Sequence, residues 1–278
     1  VRVAAVMTRG VVTVRPDTPL ADARTLVTTN RFSALPVTDG GGRLRGIVTT
    51  LDLLRADVEG RADARVAEYM TRDPMTVGPD TLVGIVAHRM RRYGEVRVLP
   101  VVDQGVLVGI VTRGDLLRTP ERRSLLDRLL GTPDVDLDVP PPDRPRVGAT
   151  AGEVMTPIDE CWVAVPATPV GDAASWLAAQ RLSALPVLDD DDRLLGVVSE
   201  ADLLPDRLSG RGPAPRTCGE AMTARATAVR HDVPLPKVAK AMVRRGYRSL
   251  PVLGDDDRVV GMVSRGDLLR AQAPSTPS

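Results

Sequence analysis

The chain has 278 residues, a formal net charge of +1, 43% hydrophobic residues, 26% charged residues and only 2% aromatics. This is the balance of a globular protein built on Val, Leu, Ala and Met, and it excludes a disordered chain or one that coats nucleic acid. Charge near zero and few aromatics also remove the tracking and stacking surface that nucleic acid needs, so nucleic acid is not an expected partner. The length allows about two domains of ordinary size.

Taken in order, the first elements are a Met-Thr pair (Met7-Thr8), a β-branched run VVTV (11–14) read as a strand, and a helix within 16–30 after Pro16. ALPV (34–37) and RLRGIVT (43–49) read as strands flanking the turn DGGG, and TLDLLRADV (50–58) returns to helix. The same order then recurs. Met-Thr stands at 7–8, 70–71, 155–156 and 222–223, and Leu-Pro-Val at 35–37, 99–101, 185–187 and 250–252. A third block follows each Leu-Pro-Val: GIVTTLDLL (46–54), GIVTRGDLL (109–117), GVVSEADLL (196–204) and GMVSRGDLL (261–269). Three landmarks in fixed order, four times, define four repeats.

Spacing groups them in pairs. Asp52 to Asp115 is 63 residues and Asp202 to Asp267 is 65, whereas Asp115 to Asp202 is 87. The excess holds ERRSLLDRLL (121–130), spaced as a short amphipathic helix, and TPDVDLDVPPPDRPR (132–146), an extended spacer. The expected organisation is a first module at 1–118, a helix and Pro/Asp-rich linker at 119–150, a second module at 151–271 and a disordered tail at 272–278.

The third block has two compatible readings. Thr49/Asp52, Thr112/Asp115, Ser199/Asp202 and Ser264/Asp267 fit a helix-capping box, although capping alone tolerates Glu or Gln and all four copies use Asp. A strand running straight into a helix also presents free N–H groups at a strand's carboxyl edge, where α/β folds bind anions and where an Asp can accept from a ribose diol.

Met-Thr, Leu-Pro-Val and Gly-h-h-[Ser/Thr]-x-x-Asp-Leu-Leu (h, apolar) together resemble the cystathionine-β-synthase (CBS) domain family, over about residues 3–58, 65–118, 151–206 and 218–271. The resemblance implies an α/β fold of four CBS repeats, each strand-helix-strand-strand-helix, packed as two pseudo-symmetric Bateman modules. It implies two clefts per module for adenosine-containing ligands such as AMP, ADP, ATP or S-adenosylmethionine. On that reading Asp52, Asp115, Asp202 and Asp267 hold ribose, and Thr49, Thr112, Ser199 and Ser264 meet ribose or phosphate. The second hydroxyl residue that strong nucleotide binders often carry before the Asp is replaced by Leu51, Gly114, Ala201 and Gly266.

Charge separates even repeats from odd. Two residues before the motif Asp stand Arg113 and Arg265 in repeats 2 and 4, against Thr50 and Glu200 in repeats 1 and 3. Three residues before the proline stand Arg97 and Arg248, against Ser33 and Ser183. These four arginines either face phosphate, for which the guanidinium fork is suited, or point into solvent.

Chemistry finds no foothold. His88 and His231 occupy unrelated repeat positions, Cys161 and Cys218 lack C-x-x-C spacing, and DDDD (189–192) and GDDD (254–257) read as solvated turns without the Glu a calcium loop needs. No metal site, catalytic residue or required cofactor is expected. The longest uncharged run, 161–171, is too short to span a bilayer. No signal-peptide pattern is read at the start of the sequence, which begins at Val1, as if a few residues had been trimmed, and a cytoplasmic location is expected. The sequence thus reads as a stand-alone regulatory sensor of adenosyl ligands, not an enzyme, partnered with itself as a single-chain disc or homodimer and with an unknown regulated protein. The alternatives are a ligand-free scaffold or an accessory subunit of a transporter or dehydrogenase.

Overall fold

A computed structural model describes residues 1–61, 63–93, 96–117, 149–204 and 215–271. The expected helix and spacer at 119–148 and the tail at 272–278 lie outside the described residues.

Each repeat is built on an antiparallel hairpin: Ala34–Thr38 with Leu44–Thr49, Val98–Asp103 with Val106–Thr112, Ala184–Leu188 with Leu194–Ser199, and Ser249–Leu253 with Val259–Ser264. The Leu and Val of every Leu-Pro-Val are at most 1% exposed. Each hairpin runs directly into a helix, Thr50–Val58, Arg113–Leu117, Glu200–Leu203 and Arg265–Ala271, with no intervening loop. The paired leucines after the motif Asp, from Leu53-Leu54 to Leu268-Leu269, are buried.

The expected strand VVTV does not form. Only Val14 pairs, as one parallel bridge to Val37. Val14 N–H donates to Pro36 O and Thr38 N–H to Val14 O; the next rung toward residue 12 would need an N–H on Pro36, which proline lacks. The same proline-limited bridge joins Val77 to Val101 and Ala164 to Val187. The landmark proline therefore stops the ladder on its N-terminal side and leaves the incoming segment free to line a cleft; in repeat 4 the pairing extends one residue the other way, Val229–Arg230 with Val252–Leu253.

The Met-Thr landmarks complete the neighbouring repeat. Thr71–Arg72 of repeat 2 pairs with Gly46–Ile47 of repeat 1, while Thr8 of repeat 1 pairs with Ile110 of repeat 2. Thr223–Ala224 and Thr156–Pro157 make the same exchange between repeats 3 and 4. Each methionine sits on the partner's motif glycine. A Cβ there would stand 2.8 Å from Met70 Sδ at Gly46, 2.9 Å from Met7 Sδ at Gly109, 2.8 Å from Met222 Sδ at Gly196 and 2.7 Å from Met155 Sδ at Gly261.

Helices make the other set of contacts. One core joins repeat 1 to repeat 4, with Leu53 and Leu54 among Met242, Leu250 and Leu268; a second joins repeat 2 to repeat 3, with Leu116 and Leu117 among Leu177, Leu185 and Leu203. Strands thus tie 1 to 2 and 3 to 4, while helices tie 1 to 4 and 2 to 3. The chain closes into a ring whose four strand-to-helix corners point inward.

Candidate functional site

In every repeat the two positions that distinguish odd from even are joined by one backbone hydrogen bond across the mouth of the hairpin. Thr50 N–H donates to Ser33 O (3.1 Å), Arg113 to Arg97 (3.2 Å), Glu200 to Ser183 (3.4 Å) and Arg265 to Arg248 (2.9 Å). Ring closure brings all eight residues to the wall of one cavity of about 700 Å³. Read from the sequence, the arginines belonged to two separate modules; folded, Arg97, Arg113, Arg248 and Arg265 share one space.

Their environments differ. Arg113 and Arg265 are 1% and 7% exposed and do not point into solvent. Arg113 Nη2 donates to Met90 O at 2.7 Å, while Arg265 Nε and Nη2 donate to Tyr247 O and Gly246 O, each at 2.7 Å. They hold the ends of the helices Val83–Arg92 and Leu235–Arg245 and turn a charged face to the cavity. Arg97 and Arg248 each hold one Nη1 at 3.8 Å from Glu200 Oε2. Burial, then the charges of Arg248 and Arg113, push the Arg97 guanidinium down to about 8. Burial pushes Arg113 down to about 10 against the pull of Glu200, and burial raises Glu200 despite three flanking arginines. A guanidinium holds its proton in nearly all proteins, so the depression registers as the cost of crowding cations in a poorly hydrated space, a cost that a bound anion relieves.

All four motif aspartates are engaged in capping. Asp52, Asp115, Asp202 and Asp267 each accept the backbone N–H of Thr49, Thr112, Ser199 or Ser264 at 2.7–2.8 Å and the side-chain hydroxyl of the same residue at 2.7–2.8 Å. The shared acceptor is Oδ2 throughout; Oδ1 of Asp267 pairs with Arg270. Only the even corners present their hydroxyl-Asp pair to the cavity: Thr112, Asp115, Ser264 and Asp267 line it, whereas the odd corners reach it through Thr50 and Glu200, and Thr49, Asp52, Ser199 and Asp202 do not. Asp52 is 9% exposed, and its burial raises its pKa even with Thr49 donating twice.

Three features escaped the sequence reading. Glu200 was noted as a missing arginine, although an acid at that position was itself the signal. Trp162, in the segment that the proline keeps out of the sheet, lines the cavity and packs on Trp176 with ring centroids 5.2 Å apart. Arg31 and Arg181 line it from left-handed backbone, φ 55° and 54°, at the ends of helical turns where repeat 4 has Gly246. His88 and Cys218 lie away from the cavity wall; Cys161 is on it, its thiol pushed up to about 12 by burial. Among the described residues no cluster of His, Cys, Asp and Glu could hold a metal ion, and no helix is long and apolar enough to cross a membrane.

A family model described as the CBS domain matches residues 3–59, 66–122, 151–206 and 218–274. The chain belongs to the CBS domain family. Among characterised relatives, the CBS domain-containing protein CBSX1 of Arabidopsis thaliana chloroplasts is 32% identical over 155 residues, 46% of this chain and 66% of its own length. The chain thus spans slightly less than two thirds of that CBS protein. A crystal structure of CBSX2 in complex with AMP, also from Arabidopsis thaliana, is 33% identical over 45% of this chain and 96% of that chain, with a TM-score of 0.41. Protein MJ1225 of Methanocaldococcus jannaschii, described as an archaeal homologue of the AMPK γ subunit, covers 97% of this CBS chain and 99% of its own at 22% identity and a TM-score of 0.42.

Proposed function

We propose that this CBS protein is a regulatory sensor of phosphorylated adenosine compounds, with no catalytic step of its own. The observation that carries the reading is the convergence of Arg97, Arg113, Arg248 and Arg265 on one cavity onto which the two even-repeat corners open. Phosphate lies among the guanidiniums, where partial burial strengthens each charge-assisted bond. Ribose lies at Asp115 and Asp267, whose Oδ2 is held still by Thr112 and Ser264. Thr112 and Ser264 meet ribose or phosphate, and Trp162 lines the same cavity. Asp52 and Asp202, with Thr49 and Ser199, serve as helix caps alone. The charge also ranks ligands: AMP, ADP and ATP suit the cavity, whereas the sulfonium and ammonium of S-adenosylmethionine oppose it. A ligand touching both modules shifts their packing only through a difference in affinity between arrangements, and that shift is what a regulated partner reads.

The modules proposed for this function are residues 1–118 and 151–271, each defined by the exchange of Met-Thr segments. Calorimetric titration with AMP, ADP, ATP and S-adenosylmethionine tests the reading, alongside the Asp115→Ala/Asp267→Ala double variant. Loss of a charge-assisted ribose contact costs about 1.5–3 kcal/mol, on the order of 10- to 150-fold in affinity per site. Saturable binding of the phosphorylated ligands that collapses in a folded double variant supports the sensor. No heat from any of them refutes it, and supports a ligand-free scaffold, the reading favoured by the capping role of all four aspartates.

A further inference from the structure

Glu200 occupies the first helical position of repeat 3, where repeats 2 and 4 have arginine and repeat 1 has Thr50. Its side chain is 12% exposed, and its Oε2 lies 3.8 Å from Arg97 Nη1 and 3.8 Å from Arg248 Nη1. Those two arginines come from repeats 2 and 4, so one carboxylate bridges both modules. Neither separation is a hydrogen bond, which needs about 3.2 Å or less between N and O. Arg97 Nη1 is buried and makes no hydrogen bond. A carboxylate and a guanidinium free to approach would close to a bidentate pair. Here one carboxylate is shared at equal reach between two cations, short of either. A tetrahedral phosphate, with more oxygens and up to two charges, has the shape to complete both contacts.

We propose that Glu200 is a tethered anion holding the place of a ligand phosphate between Arg97 and Arg248. The phosphate enters by displacing or repelling this carboxylate, so Glu200 weakens phosphate binding and restricts the cavity to anions whose charge outcompetes it. Without ligand the same carboxylate offsets the repulsion of four convergent guanidiniums and keeps the two modules together. The proposal deepens the sensor reading and rests on its placement of phosphate in this cavity.

The test compares the wild-type chain with Glu200→Gln, which keeps shape and removes charge, and with Glu200→Thr, which installs the residue of repeat 1 and serves should the first variant not fold. Calorimetry measures AMP, adenosine and inorganic pyrophosphate, and thermal melts follow each with and without pyrophosphate. A unit charge removed within a few ångströms of the phosphate should tighten AMP and pyrophosphate by about tenfold or more and leave adenosine within about twofold. Without ligand the variants should melt below wild type, and pyrophosphate should raise their melting temperature more than it raises that of wild type. Unchanged or weaker phosphate binding in a folded variant overturns the proposal, as does an equal gain for adenosine. Pyrophosphate binding that tightens in the variants while no adenosine compound binds any form upholds the tethered anion and removes the adenosine reading instead.

Discussion

Substituting Gly196 by alanine tests whether the exchange of Met-Thr segments is what couples repeats within a module. A Cβ at Gly196 would stand 2.6 Å from Thr223 O and 2.8 Å from Met222 Sδ, whereas carbon needs about 3.5 Å from a non-bonded neighbour. The sulfur lies on a flexible side chain and can retreat; the carbonyl belongs to the two-residue strand Thr223–Ala224, paired with Val197 and Gly196, and must move with its backbone. Overpacking of this kind costs about 1–3 kcal/mol, and each ladder hydrogen bond lost adds about 1 kcal/mol. The sum is about 2–4 kcal/mol. At about 2–4 °C per kcal/mol for a fold of this size, the melting temperature drops by about 5–15 °C. Gly84→Ala is the control: it lies inside the helix Val83–Arg92 with no atom within 4 Å of the added carbon, and alanine there gains about 0.5–1 kcal/mol. Thermal denaturation followed by circular dichroism separates the two. Equal melting temperatures for the two variants would refute the crossing as the cause of the glycine.

Two further outcomes follow from the electrostatics. Arg97→Met removes a cation that burial first, and the charges of Arg248 and Arg113 second, push down to about 8, and it leaves Glu200 beside Arg248, so stability holds or rises while AMP weakens by about tenfold or more; a large loss of stability with unchanged AMP binding contradicts the assignment. The Cys161 thiol, pushed up to about 12 by burial, should react with a disulfide reagent at pH 8 at least about a hundredfold more slowly than a free thiol of ordinary pKa, because only the thiolate attacks; native-state reaction at the rate of the denatured chain is the contrary result.

Local chemistry was legible in the sequence and convergence was not. The helix Thr50–Val58 and the four capping boxes follow from residues within one short window, where propensity and periodicity act. The pairing of repeats 1 with 2 and 3 with 4 also follows, because spacing reports connection length. The strand VVTV failed for a reason at hand but unused: its partner strand carries Pro36, and a one-rung ladder is the result. Along the chain the glycine and methionine landmarks stand as separate marks of one repeat, yet each glycine is small because the other repeat's methionine and carbonyl lie on it. Arg113 and Arg265 show the limit of reading charge along a chain. Their donors are divided between the carbonyls of helix ends and a cavity, and no local pattern reveals that division.

The odd repeats differ from the even ones in a way that suits the ring geometry. Were all four repeats alike in the even pattern, these positions alone would bring eight guanidiniums to a cavity of about 700 Å³ that Arg31, Arg181 and Arg270 also line; were all alike in the odd pattern, none of Arg97, Arg113, Arg248 and Arg265 would remain. Ser33, Thr50, Ser183 and Glu200 make closure compatible with a cationic centre: Ser183 Oγ lies 3.1 Å from Ser249 Oγ, close enough to bond across a repeat boundary, and Glu200 supplies the counter-charge. Restoring one even-type residue should therefore disturb the ring through charge. Thr50 is 8% exposed on the cavity wall, and Thr50→Arg adds one more guanidinium to a wall that already carries Arg97, Arg113, Arg248 and Arg265 together with Arg31, Arg181 and Arg270. Like charges a few ångströms apart at partial burial repel by a few kcal/mol, so the variant should melt about 5 °C or more below wild type at low salt. Pyrophosphate should recover most of that loss. Thr50→Gln, long but neutral, should melt measurably closer to wild type and gain nothing extra from the anion. If the Gln and Arg variants lose stability equally, and pyrophosphate rescues neither, bulk at the corner and not charge at the centre is what the odd repeats were shaped to avoid.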